Sequence, residues 1–403
     1  GNTVLVGGYG DNVAAGAAWV YTRSGGVWSQ QGAKLVGTGA VGNAEQGWSV
    51  ALSADGNTAI VCGYADNGYV GAAWVYTRSG GVWSQQGAKL VGTGNTGSSG
   101  QGYSVALSSD GNTAIIGAAY DNTYTGAAWV FTRSGSTWSQ QGGIITGAGE
   151  AGAGNFGSSV ALSADGNTAI AGGWADNSYL GAAWVYVRVG GMWSAQGGKL
   201  VGTGYVGTDV EQGSDVALSA DGNTAIVGGD QDGAGAGATW VYTRSGATWS
   251  QHGSKLFGSG ANMIAYQGCS VAISADGGTA LIGGTYDGVG TGAAWVFIDP
   301  AILAVEPQPH LSGLALAAPF PNPSAGQIAI TYSLPHEAIV TLAVFDISGR
   351  AVRTLVSGAT AAGEHSMHWD GQTSAGRSAP GGLYFISLKS GADQVTRRFV
   401  LAK

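Results

Sequence analysis

The residues of this chain that could perform chemistry are few and lie far apart in the sequence. The chain has 403 residues, and its five histidines are His252, His310, His336, His365 and His368. It contains no His-Glu-x-x-His, Gly-x-Ser-x-Gly or phosphate-loop motif. A carboxylate pair such as Glu45 with Asp230 is of the kind that hydrolyses glycosides, but nothing in the spacing selects it. We therefore expect no enzyme activity and no cofactor, and a hydrolase ranks behind a structural and a binding function.

Metal binding is not indicated by the histidines or the cysteines. His365 and His368 lie three residues apart in a predicted strand, so their side chains are expected on opposite faces. Cys62 and Cys269 belong to different repeats, and two cysteines do not make a disulfide framework. The sequence therefore predicts two isolated thiols and no metal site.

The composition excludes several classes of protein. Charged residues make up 10% of the chain, the net charge is −8, and 75 residues are glycine. Because there is no run of basic residues, we expect no nucleic-acid binding. No apolar run approaches the ~18 residues of a membrane span, so no span is expected. A surface poor in charge lacks much of the usual repulsion between neighbours and permits self-association.

A repeat of about 55 residues fills residues 1–298. Its marker is a tryptophan, found at Trp19, Trp74, Trp129, Trp184, Trp240 and Trp295. Each full copy contains four strand-like segments, of which SVALSAD, NTAIVGG, GAAWVYTRS and VWSQQGAKLVG are examples. Four antiparallel strands in a unit of this length are typical of a propeller blade.

The tryptophans are predicted to lie between blades. Alternation along the third strand places Ala17, Trp19, Tyr21 and Arg23 on one face. Because blades stack face to face, we interpret the tryptophans as core residues and not as ligand platforms. Removing one of them is expected to cost about 3–5 kcal/mol of folding free energy.

The copies differ mainly at one end of each blade. The 1–2 and 3–4 turns barely change, whereas the 4–1 connections and the residue that ends the second strand vary. Antiparallel geometry places the 4–1 and 2–3 connections on one face, which we call the variable face. Loops on a rigid scaffold commonly carry recognition, and neutral drift in solvated loops is the alternative. The predicted ligand-binding residues are Trp48, Tyr64, Tyr103, Trp174 and Asp230, beside the acidic Glu45, Asp209 and Glu211.

The repeat resembles the FG-GAP family of integrin-like β-propellers. The segment QGWSVALSADGNTAIVCGYADNGYVGAAWVY, residues 46–76, and its copies carry this resemblance. It implies a secreted or surface-exposed propeller that binds or adheres through the variable loops. Many repeats of that family hold calcium in a loop with several aspartates, whereas SADGNT has one. Calcium requires six to eight oxygen ligands, so no site of that type is expected.

The last ninety residues resemble another family. PFPNPSAGQIAITYSLP, VFDISGRAVRTL, GEHSMHWDG and GGLYFISLKSG are similar to the C-terminal sorting domain of the bacterial type IX secretion system. The resemblance implies an Ig-like sandwich and export across the outer membrane. The sequence thus predicts an all-β chain: a propeller at 1–299 with about six four-stranded blades, a linker at 300–313 and an Ig-like domain at 314–403.

The terminal blades are predicted to be incomplete. The first copy starts at the second strand and the sixth ends after the third, which gives 22 strands where six blades need 24. Unpaired strand edges are templates for another chain. Three explanations stay open: absent upstream sequence, a gap filled by the linker segment AILAVEP, or a strand donated by a neighbouring subunit. Candidate assembly residues are Asn2, Val4, Val6, Ile302 and Ala304.

These observations lead to one favoured function and one alternative. The favoured function is that of an extracellular structural or adhesive protein at the bacterial cell surface, self-assembling into a filament or surface layer. The alternative is a monomeric surface propeller that binds a glycan or a protein through the variable face. The expected partner is therefore another copy of the chain, with a surface glycan or protein as the second choice.

Overall fold

A computed structural model describes residues 1–261, 264–298, 314–317, 319, 322–324, 326–334, 338–361, 363–391 and 393–402. Contacts between Cα atoms divide the chain into two compact units, Gly1–Val305 and Glu306–Lys403. Both units are built from antiparallel strands, so the chain is all-β, as predicted.

The first unit consists of six sheets in chain order. The first sheet has the strands β1 (Thr3–Gly8), β2 (Ala17–Ser24) and β3 (Val27–Gln30). Four four-stranded sheets follow. The second sheet has β4 (Ser49–Leu52), β5 (Thr58–Gly63), β6 (Ala72–Ser79) and β7 (Val82–Gln85), and the third has β8 (Ser104–Leu107), β9 (Thr113–Ala118), β10 (Ala127–Ser134) and β11 (Thr137–Gln140). The fourth has β12 (Ser159–Leu162), β13 (Thr168–Gly173), β14 (Ala182–Val189) and β15 (Met192–Ala195), and the fifth has β16 (Val216–Leu218), β17 (Thr224–Gly229), β18 (Ala238–Ser245) and β19 (Thr248–Gln251). The sixth sheet has β20 (Gln267–Ile273), β21 (Thr279–Gly284) and β22 (Ala293–Ile298). Among the described residues, the first unit has the predicted 22 strands in six sheets, with three strands in the first and the sixth sheet, and the predicted propeller-like all-β fold is confirmed.

The fourth strand of each blade is shorter than predicted. The segment VWSQQGAKLVG was expected as one strand, but β3 ends at Gln30. Gly32 then adopts a φ of 74°, which turns the chain back towards its own sheet. Leu35 pairs there with Ala18, through N–H to oxygen distances of 2.7 and 3.0 Å.

A one-turn segment that was not predicted joins the second and third strands of every blade. The six segments are α1 (Asp11–Ala14), α2 (Asp66–Tyr69), α3 (Asp121–Tyr124), α4 (Asp176–Tyr179), α5 (Asp232–Gly235) and α6 (Asp287–Gly290). In α2 the three residues after Asp66 have φ values of 52, 68 and 69°, so the backbone there is left-handed. In the second, third and fourth blades the last residue of this turn is a tyrosine that is about half exposed.

The core of the first unit lies between successive sheets. Trp74, Trp129, Trp184 and Trp240 are at most 1% exposed. At the first junction, Val61 and Trp74 of the second sheet pack against Val20 of the first. The prediction that the tryptophans form the core between blades is confirmed for these four, whereas Trp19 and Trp295 in the terminal sheets are only partly buried.

Glycine and glutamine make the close approach between blades possible. A Cβ atom on Gly37 would lie 2.1 Å from the Trp74 ring, so only glycine fits against the indole. The amide side chain of Gln46 holds the same glycine, because its Oε1 accepts the Gly37 N–H at 2.5 Å and its Nε2 donates to the Gly37 carbonyl at 3.1 Å. Gln46 is buried, and the pair recurs as Gln101 with Gly92.

The constant end of each blade is a closed hydrogen-bond network. Asp55 accepts from the Ser53 hydroxyl at 2.6 Å and from the Asn57 N–H at 2.9 Å. The Ser53 hydroxyl bond is the main cause that lowers the pKa of Asp55. Arg78 donates to Asn57 at 3.0 Å and lies 5.3 Å from the centre of the Trp83 ring. The single aspartate of SADGNT is therefore occupied in holding its own turn.

The second unit is a sandwich of two sheets. One contains β23 (Ala315–Leu316), β24 (Ile328–Leu334) and β27 (Gly363–Trp369), and the other β25 (Ala338–Asp346), β26 (Ala351–Thr360), β28 (Gly382–Ser390) and β29 (Asp393–Leu401). Trp369, Tyr384 and Phe399 meet between the sheets with ring centres 5.6–5.7 Å apart. No helix in the described part of either unit is long and apolar enough to cross a membrane.

Candidate functional site

The 4–1 and 2–3 connections meet on one face, as antiparallel geometry requires. The Glu45 N–H donates to the Ala14 carbonyl at 2.9 Å, and Gly16 pairs with Gln46 as a parallel bridge. The same bridge recurs between Gly71 and Gln101. The variable face is therefore a continuous surface made of loops from adjacent blades.

In the second to fifth blades, the aspartate at the start of the left-handed segment accepts a hydrogen bond from the neighbouring loop. Asp66 is 1% exposed, accepts the Val41 N–H at 2.7 Å and forms an ion pair with Lys89. Asp121 is likewise buried and accepts the Thr96 N–H at 2.7 Å, but Ile144 occupies the position of the lysine in that copy. Burial raises the pKa of Asp121, and the Thr96 bond opposes that rise.

Aromatic side chains of the first three blades form a connected strip on this face. We define the aromatic strip as Tyr9, Trp48, Tyr64, Tyr69, Tyr103, Tyr120 and Tyr124. Its ring centres are 4.5 Å apart for Trp48 and Tyr64, and 5.3 Å apart for Tyr103 and Tyr120. Burial, followed by the nearby Glu45 carboxylate, raises the pKa of Tyr64 to about 12, so this phenol stays neutral.

The residues predicted for ligand binding fall into three places. Trp48, Tyr64 and Tyr103 come together in the aromatic strip. Trp174 instead contacts Tyr179, with ring centres 5.7 Å apart. Asp230 lies near Glu211 and Asp209; burial, followed by the charges of Asp230 and Asp209, raises the pKa of Glu211 to about 7. Three of the four predicted aromatic residues therefore lie together, and Trp174 lies apart from them. Asp230 belongs to an acidic group in the fifth blade.

Several aromatic residues of this face were not among the predicted ligand-binding residues; they include Tyr9, Tyr69, Tyr120, Tyr124, Tyr179, Tyr266 and Tyr286. Three of them end the left-handed segments DNGY, DNTY and DNSY. The recurrence of tyrosine at this one position in three successive copies was the available signal. Its meaning depends on the left-handed backbone, which the sequence did not predict.

The two ends of the blade array also expose apolar side chains. On the first sheet, Val4 and Val6 are 41% and 45% exposed. On the sixth sheet, Leu281, Val296 and Ile298 are 46%, 63% and 66% exposed. We call these surfaces the first terminal face and the last terminal face. Of the predicted assembly residues, Asn2, Val4 and Val6 belong to β1 or precede it, whereas Ile302 and Ala304 lie outside the described residues.

A cavity of about 240 Å³ marks the junction of the fifth and sixth sheets, and His252, Leu256 and Phe297 are among its lining. Gln31 occupies the equivalent position at the first junction, where its Oε1 accepts from Trp83 at 3.1 Å and from Arg78 at 3.1 Å. The sixth sheet has no fourth strand among the residues that the structure describes. The cavity therefore lies where earlier junctions hold a fourth-strand tryptophan.

Neither thiols nor clustered ligands suggest metal or redox chemistry. Cys62 is buried without a disulfide, and burial raises the pKa of its thiol to about 12. Cys269 is also a free thiol. Within the described ranges no group of three or more His, Cys, Asp or Glu side chains is placed to hold a metal ion.

Comparison with known proteins identifies one matching family. Residues 322–394 match the family model described as the FlgD Ig-like domain. The second unit is therefore Ig-like both in its sandwich and in its sequence. No curated protein matches the chain.

Several solved structures are similar to the chain at low identity. A periplasmic gluconolactonase of Pseudomonas aeruginosa is 18% identical, with 91% of this chain and 98% of that one covered and a TM-score of 0.45. PorZ, described as a surface component of the type IX secretion system of Porphyromonas gingivalis, is 11% identical over 96% of this chain and 56% of that one, with a TM-score of 0.37. A GH74 xyloglucanase from Xanthomonas campestris is 11% identical over 82% and 49%, with a TM-score of 0.45. Enzymes thus occur among the similar structures, but at these identities and scores the likeness carries no argument about function.

Proposed function

We propose that this chain is an extracellular structural protein that assembles head to tail, with the last terminal face of one copy stacked on the first terminal face of the next. The observation that carries the proposal is that these two exposed faces correspond to the two halves of a junction that the array repeats inside itself. A contact between unlike faces of identical subunits generates an open filament when the subunits do not close into a ring.

The first terminal face corresponds to one half of an internal junction. Val6 of β1 stands at the position of Val61 in β5, which is fully buried against the preceding sheet. Trp19 likewise stands at the position of Trp74, and it is only partly buried. Because the residue types match, this face offers the surface that the second sheet already uses for stacking.

The last terminal face corresponds to the other half. Leu281 and Val296 stand at the positions of Ile60 and Val75, which are both fully buried against the following sheet. Stacking the two terminal faces would bury the same kinds of side chains as an internal junction, and burial of one such aliphatic side chain contributes about 1.5–3 kcal/mol. The low charge of the chain adds little repulsion against this contact.

Location at the cell surface is the second part of the proposal. It is supported by the resemblance of residues 314–403 to sorting domains and of the repeat to FG-GAP propellers. Fractionation of the producing cells, with detection of the chain in the medium or on intact cells, tests this part. Retention of the whole chain inside the cell would contradict it.

Sedimentation of the purified chain tests the assembly. We expect species larger than one chain whose proportion rises with concentration, and we expect Val296→Asp with Ile298→Asp to reduce them to the monomer. Val189→Asp is the matched control, because Val189 is 73% exposed but lies in β14, away from the terminal faces. A wild-type protein that remains monomeric at all concentrations would overturn the proposal.

Disulfide trapping distinguishes assembly between copies from closure within one chain. We would place Val6→Cys and Val296→Cys in a Cys269→Ser background, in which the remaining Cys62 thiol is buried. Head-to-tail stacking predicts a ladder of crosslinked species on a non-reducing gel. A crosslinked monomer would instead mean that the ring closes on itself, and the proposed function would fail.

A further inference from the structure

We infer that the groove between the segments α2 and α3 on the variable face binds a neutral polysaccharide, as a site separate from the terminal faces. The groove has a volume of about 550 Å³ and is lined by Tyr64, Tyr69, Thr96, Ser98, Tyr120 and Tyr124. The inference does not depend on self-assembly, since a single copy contains the whole groove.

The groove has aromatic rings on both of its walls. Tyr69 and Tyr64 lie on one side with ring centres 5.8 Å apart, and Tyr120 and Tyr124 lie on the other, 5.4 Å apart. Tyr64 and Tyr120 join the walls at 6.1 Å. Tyr69 and Tyr124 are 49% and 54% exposed, so their rings have faces free for stacking.

The backbone at the two outer tyrosines is strained. Tyr69 and Tyr124 have φ values of 69° and 67°, in the left-handed region that disfavours side chains with a Cβ. The fifth and sixth copies have Gly235 and Gly290 at this position, which adopt a φ of 89° without that strain. The chain thus forms the same turn with glycine, and tyrosine is not needed to build it.

Packing accounts for only part of each outer tyrosine, through the ring contacts with Tyr64 and Tyr120. About half of each outer ring is exposed, and the Tyr69 backbone makes its bonds through its own N–H and carbonyl, to Ala65 at 3.2 Å and from Gly100 at 2.7 Å. Those backbone bonds do not require the ring. Backbone strain at a side chain that stays about half exposed points to a function for the exposed part.

The chemistry of the lining selects the class of ligand. With Thr123, the lining has seven side chains besides Gly97; all seven are neutral and carry a hydroxyl group, and four are aromatic. A pyranose ring offers apolar C–H faces that stack on tyrosine and hydroxyl groups that bond to Tyr, Thr and Ser. Single-stranded nucleic acid also stacks on aromatic rings, but it requires a positively charged groove, which this lining does not provide. Leucine, isoleucine, valine and methionine are absent from the described lining, unlike the apolar centre of a protein–protein interface.

Affinity electrophoresis of the full chain tests the inference. The probes are a panel of soluble neutral polysaccharides, comprising xyloglucan, galactomannan, β-glucan and dextran, with alginate as an anionic comparison. We expect retardation by at least one neutral polymer and none by alginate. Failure of the whole neutral panel, or equal retardation by alginate, would overturn the inference.

Variants separate stacking from structure. Tyr69→Gly with Tyr124→Gly is expected to weaken binding at least tenfold in titration calorimetry while leaving the melting temperature unchanged or higher. Ala14→Gly is the matched control, since Ala14 occupies the same left-handed position with a φ of 65° but carries no ring. It is expected to relieve strain without altering affinity. Unchanged binding in the double variant, or a lower melting temperature, would overturn the assignment, and neither result bears on the sedimentation of the wild-type chain.

Discussion

Identical residues have different environments in the internal and the terminal blades. Trp129 in the third blade is completely buried between two sheets, whereas Trp19 in the first blade is partly exposed, because no sheet among the described residues covers its face. The side chains and the local strands are the same. The position of a blade in the array, and not its sequence, therefore decides whether the repeated tryptophan is buried and stabilises the fold or stays exposed and able to contact another molecule.

The largest expected effect tests this difference with the tryptophan itself. Trp129→Ala removes a ring packed on both sides and should lower the free energy of unfolding by about 3–5 kcal/mol. Trp19→Ala should cost less than half of that value, because part of the ring is already exposed. Chemical denaturation of both variants under dissociating conditions measures the contrast, and equal losses would refute it.

A smaller effect is expected at the glycines that face the indole rings. A Cβ atom on Gly92 would lie 2.4 Å from the Trp129 ring, which cannot move away, so Gly92→Ala should cost about 1–3 kcal/mol through overpacking. The equivalent Gly258 faces Trp295 at 2.3 Å, but Trp295 is only partly buried and has room to shift. Gly258→Ala should therefore be the milder change. Thermal unfolding of both variants measures this difference. A larger loss of stability for Gly258→Ala than for Gly92→Ala would contradict the prediction.

The smallest effect concerns Asp121, an anchoring aspartate whose copy has Ile144 at the lysine position. Ile144→Lys should pair with Asp121 as Lys89 pairs with Asp66, and should raise the free energy of unfolding by about 1 kcal/mol at neutral pH. Lys34→Ala is the control in the terminal blade, because Asp11 and Lys34 are 27% and 39% exposed. Lys34→Ala should change the free energy of unfolding by close to zero, as is typical of exposed ion pairs.

The pH dependence of that variant has a definite sign. Burial raises the pKa of Asp121, so the folded state binds this proton more readily than the unfolded chain does. The stability that this contributes is present at low pH and is lost as the pH rises through the folded-state pKa. The advantage of Ile144→Lys should therefore be full at neutral pH and small near about pH 3, where the carboxyl is protonated in both states. A constant advantage across this range would show that the lysine acts through something other than Asp121.

The constant end and the variable end of a blade differ in how their polar side chains are used. At the constant end, Asp55, Asn57 and Arg78 satisfy one another's hydrogen bonds. At the variable end of the second to fourth blades, the aspartate of the left-handed segment bonds to the neighbouring loop, while the tyrosine that ends the segment is about half exposed. Changes of that residue therefore alter the exposed surface with little effect on the framework.

Much of the first unit could be predicted from the sequence because its signals are local. Strand alternation, the Asp-Gly turn and the 55-residue period each depend on residues within one blade, and they gave the six sheets and the buried tryptophans. The left-handed segments were missed because neither asparagine nor tyrosine requires that backbone. Their geometry follows from tertiary bonds, such as that from the Val41 N–H to Asp66.

By itself, the sequence determined which residues become strands, which faces of those strands are apolar and which loops vary. Only the tertiary structure decided that Trp48, Tyr64, Tyr103 and Tyr120 meet in one strip while Trp174 lies elsewhere with Tyr179. Only it decided that both terminal faces are exposed. The physical reason is that alternation and turn chemistry act over a few residues, whereas ring contacts and the burial of a sheet face depend on how whole blades stack.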